Sequence, residues 1–209
     1  MLKSEQRDNM SNKEKILRVS VELFAQKGYR NVSLREIARH VGIKAASIYN
    51  HYNSKEAILE EIVGCLRTQL RQQVSPSFEM VEQLDMRTFI QVTTKANNDF
   101  FADPLYAQIG QIVMREQFQN EKIRSMLLEE LLIRPRMLIA AYFKRLMDAG
   151  KMRIADPVIA AKEYHAFFIY EFYESALAQN FEDQDEELQH ERSQHVSLFL
   201  ETWSIDTES

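Results

Sequence analysis

The chain has 209 residues and a formal charge of −5, with only 5 Gly and 4 Pro. So few turn-forming residues, and no alternating β-branched runs, argue against a sheet-rich fold and for a few long helices. The single cysteine, Cys65, excludes an intramolecular disulfide and suits a reducing cytosol. No apolar run approaches the roughly 18 residues of a membrane span, and residues 1–10 are too polar and mixed in charge for a signal peptide. A cytoplasmic location is expected.

In chain order, Ser11 with Glu14 forms a capping box that starts a first helix. Ile16, Ser20, Leu23, Phe24 and Lys27 trace one of its faces, and Gly28 ends it. Ser33 and Glu36 repeat the capping-box pattern and predict a short helix over 34–40, with Ile37, Ala38 and Val41 facing inward. Gly42 supplies a left-handed turn. A second short helix over 45–51 is too short to be stable alone, so neighbours must hold it and its outer face is left for other work. Two short helices around a tight turn form a helix-turn-helix, whose second helix enters the DNA major groove. Asn53 with Glu56 reads as a further cap, starting a helix through Ala57, Ile58, Ile62, Leu66 and Leu70. Ser75, Pro76 and Ser77 break it.

Charge divides along the same line. Residues 1–75 hold 13 Lys+Arg against 8 Asp+Glu, whereas 76–209 hold 13 against 23. A basic head on an acidic body is the footprint expected when only the head meets phosphate.

The rest of the pattern is helical. A helix is expected over 81–101. Asp103 and Pro104 then open one to about 118. Asn120 caps another, which runs to about 149 before Gly150 and is kinked or broken at Pro135. Asp156 and Pro157 open a helix to about 179, and a last helix spans 185–203. The fold class is therefore all-α. A three-helix head (1–55) is joined by a connecting helix at about 54–74 to a second domain, a helical bundle (75–209). Tyr164, His165, Phe167, Phe168, Ile169, Tyr170, Phe172 and Tyr173 place apolar or aromatic groups on nearly every side of one helix. That suggests one face toward a core and another toward a partner subunit. Leu188, His195, Leu198, Phe199 and Trp203 on the last helix could join it.

Ile16, Leu23-Phe24, Gly28-Tyr29, Ser33, Ile37-Ala38, Gly42-Ile43, Ile48-Tyr49, His51-Tyr52 and Lys55 fall in the order and spacing of the N-terminal pattern of the TetR family of bacterial repressors. The resemblance covers residues 13–62. Beyond it the chain resembles the family only in length, helicity and a few punctuating residues. Asn50 stands where the family usually has an aromatic, Tyr52 where it has Phe, and Ala45-Ala46 replaces a Gly- or Pro-containing pair. No operator sequence can therefore be carried over. The resemblance implies a homodimer whose last two long helices pair with their copies in a four-helix interface.

Candidate DNA contacts follow. Ser33 sits at a helix N-terminus, where free N–H groups favour a phosphate. Lys44 and Lys55 could each neutralise one, and the resemblance supports Lys55 more than Lys44. It also implies backbone contacts for Tyr49 and His51, while Tyr52 is assigned to packing. Base reading would fall to Ala45, Ala46, Ser47 and Asn50, with Arg35 as an outlying candidate. An alanine methyl can meet a thymine methyl, and Asn can bond an adenine edge twice. A dimer would set its recognition helices about 34–36 Å apart on a palindromic site. In the body, Phe100, Tyr106, Met114, Phe118, Tyr142, His165, Phe167 and Glu171 lie on helices expected to converge on a small-molecule effector. An aromatic stripe is also ordinary core, so the effector pocket rests mainly on the resemblance.

The function expected is a sequence-specific transcriptional regulator, a repressor released from a palindromic operator by a small molecule, with no cofactor, no metal and no enzymatic activity. The alternatives are a transcriptional activator, a DNA-binding protein without a ligand, and a helical-bundle metal enzyme. The last would use Glu187 with His190, but such sites need two Glu-x-x-His pairs, and the sequence holds one.

Overall fold

The computed structural model describes residues 10–73, 83–101, 103–178 and 186–205. Of residues 73, 97–101, 178 and 186–189 it describes the backbone alone. The described residues form α1 (Asn12–Lys27), a 3-10 turn (Tyr29–Asn31), α2 (Leu34–Val41), α3 (Ala45–Ile48), α4 (Lys55–Gln73) and α5 (Met86–Phe101). There follow α6 (Pro104–Glu116), α7 (Glu121–Met126), a π-helical segment (Leu127–Ile133), α8 (Arg134–Asp148), α9 (Pro157–Ala178) and α10 (Glu186–Trp203). The one extended pairing among them is an isolated bridge between Met152 and Ser204. No described helix is long and apolar enough to cross a membrane.

Most helix starts are chemically visible. Ser11 caps α1 and its backbone N–H donates to Glu14 at 2.8 Å, completing the expected capping box. Asp156 accepts from Val158 and Ile159 N–H at the start of α9, and Asn120 accepts from Ile123 N–H ahead of α7.

Several boundaries differ from expectation. The box at Ser33 forms by half: Glu36 N–H donates to Ser33 Oγ at 3.2 Å, but the Glu36 carboxylate turns to Lys27 Nζ at 2.6 Å. Val41 is half-buried rather than fully inward. The helix expected over 45–51 ends at Ile48 and continues as turns. Ser54, not Asn53, caps α4, accepting from Ala57 N–H at 3.1 Å. α5 begins at Met86 rather than 81. Asp85 sets the start by accepting from both the backbone and the hydroxyl of Thr88. The expected break at 75–77 lies outside the described residues.

The long helix expected from Asn120 to about 149 divides into three. Pro135 has no N–H to donate, and its ring would collide with the carbonyl four residues back. Widening the preceding turns to the π pattern over Leu127–Ile133 accommodates it and places Pro135 in the first turn of α8.

The described chain clusters into two compact units, Met1–Thr68 with Leu105–Arg124, and Gln69–Pro104 with Ser125–Ser209. In the first, Ile16, Phe24, Ile37, Ile48, Ile58 and Ile62 are fully buried. Arg115 of α6 donates to the Ala25 carbonyl of α1. In the second, Phe89, Tyr142, Phe143, Tyr164, Phe168 and Phe199 form an aromatic core. Tyr142 stacks on Phe89 at 3.9 Å, and Phe143 on Phe199 at 5.6 Å. Arg71 at the end of α4 and Arg134 both donate to Glu130 of the π segment, which is buried.

Candidate DNA-binding surface

The surface is built from the turn outward. Gly42 has φ 81° and ψ 28°, and its N–H donates to Ala38 and Arg39 carbonyls while Ile43 N–H reaches Ala38. This left-handed cap closes α2 and redirects the chain within two residues. α3 is only one turn long and is held from one side. Ile48 is fully buried, and Tyr52, at 4% exposure, packs as expected. His51 and Tyr52 N–H groups both donate to the Ile48 carbonyl at 2.9 Å.

With those anchors inward, Lys44, Ala46, Asn50 and His51 are exposed, and Tyr49 shows 58% of its surface. Ala45 and Ser47 are half-buried. Ser33 and Arg35 are exposed at the first turn of α2, beside Arg39 and His40 further along. Seven of the ten candidate DNA residues are thus exposed, while Ala45, Ser47 and Lys55 are half-buried.

Lys55 has an internal role. Its ammonium donates to the Tyr29 and Val32 carbonyls at 2.9 Å each and lies 4.3 Å from the centre of the Tyr29 ring. Tyr29 in turn donates to Glu56 at 3.0 Å and meets Phe24 edge-on. Burial, then the Glu56 contact, push the Tyr29 phenol well above its ordinary range. Lys55 therefore fastens the 3-10 turn to the start of α4, and one of its three N–H groups is left to point elsewhere.

Sequence reasoning missed Lys27 as the partner that draws Glu36 away from its cap and holds that carboxyl below the usual range. It also missed Lys13, which bonds Glu61 at 2.9 Å and lies over the Tyr52 ring. Neither pairing follows a local spacing rule, so no sequence signal announces them.

The effector candidates are placed less simply. Tyr106 and Met114 are half-buried and Phe118 is 79% exposed, all three in the first unit. Phe100 has no described side chain. In the second unit Tyr142 donates to the Leu84 carbonyl at 3.0 Å, and burial raises its phenol to about 12. Phe167 stacks flat on His195 at 4.1 Å. Glu171 is buried in an ion pair with Arg192 at 2.9 Å. His165 is pushed down to about 4, first by burial and then by Arg136, so it is neutral at physiological pH.

Residues 16–62 match the model of bacterial regulatory proteins of the tetR family, and residues 90–204, more than half of the chain, match the C-terminal domain of AefR-like transcriptional repressors. The chain belongs to the TetR family. This TetR-family chain is 45% identical over 53 residues to IcaR of Staphylococcus aureus, a negative transcriptional regulator of the biofilm operon icaADBC. That similarity covers 25% of the chain and 28% of IcaR. A TetR-family regulator from Mesorhizobium loti has the same fold, with a TM-score of 0.68 at 18% identity over 93% of this chain and 97% of that one. So has SmeT in complex with triclosan, at 0.68 and 18% over 95% and 94%. SmeT is the repressor of the Stenotrophomonas maltophilia multidrug efflux pump SmeDEF.

Proposed function

We propose that this protein is a cytoplasmic, homodimeric repressor that binds a palindromic operator and leaves it when a small molecule binds the body. The observation that carries the reading is the two-sided α3. Ile48 and Tyr52 anchor it inward while Lys44, Ala46, Tyr49, Asn50 and His51 stay outside. A one-turn helix whose exposed face is not used for packing suits insertion into a major groove. Ser33, Arg35, Lys44, Tyr49, His51 and the third N–H of Lys55 would meet the backbone or its flank. Ala45, Ala46, Ser47 and Asn50 would face bases.

Exposed Tyr170, Tyr173 and Leu177 on α9 and Leu198 on α10 support a dimer through these two helices. Burying such side chains from both copies is the ordinary driving force for obligate association. Tyr142, His165, Phe167 and Glu171, all in the second unit, are the proposed effector residues. SmeT with triclosan shows that this fold accommodates a small molecule in a relative. By linkage, an effector that lowers DNA affinity is itself bound more weakly when DNA is present.

The test is protection of the DNA flanking the coding region, titrated across salt, beside a Lys44→Ala, Tyr49→Ala variant. Two-fold-symmetric protection that the variant loses is expected. Weak binding, indifferent to sequence and equal in the variant, would refute the assignment of this face.

A further inference from the structure

In the second unit, the first turn of α5, the segment after α8 and the end of α10 enclose an open groove of about 590 Å3. That is within the range of about 300–1,000 Å3 typical of small-molecule sites. None of the eight effector candidates lines it. Arg87 enters from α5 and Arg153 from the segment after α8, while Ser197, Glu201 and Ser204 come from α10 and its end. Leu200 and Ile205 supply the apolar part.

The frame is rigid. Met152 is fully buried and bridges Ser204, and Arg153 N–H donates to the Trp203 carbonyl at 3.0 Å. Arg87 leaves a helix start fixed by Asp85. Neither guanidinium forms an ion pair with a described residue, although Glu201 lines the same groove. Residues 76–209 carry 23 acidic side chains against 13 basic ones, so two arginines against one glutamate give this groove an excess of positive charge on an acidic body.

We propose that this groove binds a small organic carboxylate. Two planar guanidiniums match a planar carboxylate, which accepts parallel hydrogen bonds from such forks. Ser197 and Ser204 offer further donors, and the ligand's apolar stub rests on Leu200 and Ile205. Glu201 selects against a second negative charge, so a monoanion is preferred to a dianionic phosphate ester. The site is separate from the DNA-binding face and stands independently of the repressor reading.

The experiment titrates the full-length protein with benzoate and, in parallel, phenyl phosphate at low ionic strength. A saturable heat of binding in isothermal titration calorimetry is expected, with benzoate binding more tightly. Arg87→Gln and Arg153→Gln should each weaken benzoate about tenfold or more, and Arg87→Lys, which keeps charge but loses the fork, by less. Glu201→Gln should narrow the gap between the two probes. Arg67→Gln, an exposed arginine on α4, should leave the titration unchanged. No saturable heat with wild-type protein would overturn the proposal. So would an equal loss with Arg67→Gln, or titrations indifferent to both groove arginines in variants with unaltered circular dichroism.

Discussion

Lys55 and Lys44 separate two uses of a lysine that the sequence pattern presents alike. Lys55→Met removes the donor to two backbone carbonyls. It should destabilise the head by about 2–3 kcal/mol, since bonds from charged donors each contribute about 1.5–3 kcal/mol and the site is only part-buried; urea midpoints would measure it. Lys44 is exposed and makes no such bonds, so Lys44→Ala should leave the midpoint unchanged while lowering DNA affinity and the salt slope by about one unit per head. Gly42 is a different case. A Cβ there would meet nothing within 4 Å, but φ is +81°. Gly42→Ala should therefore cost about 1–2 kcal/mol of stability from backbone strain alone. This glycine was legible in the sequence because a left-handed turn has few chemical solutions. Lys27–Glu36 was not, because a residue's ion-pair partner nine positions away depends on how two helices cross.

At the scale of elements, caps and breakers are local and could be read, while exact lengths could not. Asp85 and Ser54 each took over a start that another polar neighbour could have made. The π segment shows the same limit: Pro135 announces an interruption, but whether the helix kinks, breaks or widens depends on what packs around it. Here Glu130 of that segment takes bonds from Arg71 and Arg134, and Arg71 holds its carboxyl below the ordinary 4.5. A depressed carboxyl contributes stability that is present above the ordinary value and lost as pH falls through the folded one. Glu130→Gln should accordingly flatten the acid limb of thermal stability below about pH 4.5. His165 works earlier on the pH scale. Its folded value of about 4 lies below the ordinary 6.5, so the unfolded chain binds the extra proton first and stability declines as pH falls from 6.5 toward 4. A His165→Gln variant scanned by calorimetry should lose that slope while keeping the one from Glu130.

For the whole molecule, the exposed apolar groups of α9 and α10 make oligomeric state the informative measurement. Leu177 and Leu198 are 80% and 64% exposed. Leu177→Glu with Leu198→Glu should shift the proposed dimer to monomer in analytical ultracentrifugation. Each head would then bind DNA with about half of the dimer's salt slope, which should be near −7 if each head neutralises about four phosphates. A variant that stays dimeric would place the interface elsewhere.

The sequence by itself determined what is periodic or local: an all-α chain, its caps, the left-handed turn at Gly42, and a head whose motif spacing identifies a family. Those features depend on backbone chemistry within a few residues. Only the tertiary structure decided which of two similar lysines is internally bonded and that Glu171 is already neutralised by Arg192. It alone placed residues 105–124 in the same compact unit as the head and brought Arg87 and Arg153 to one groove. Each of these depends on which distant side chains arrive at the same place, and no spacing rule along the chain encodes that.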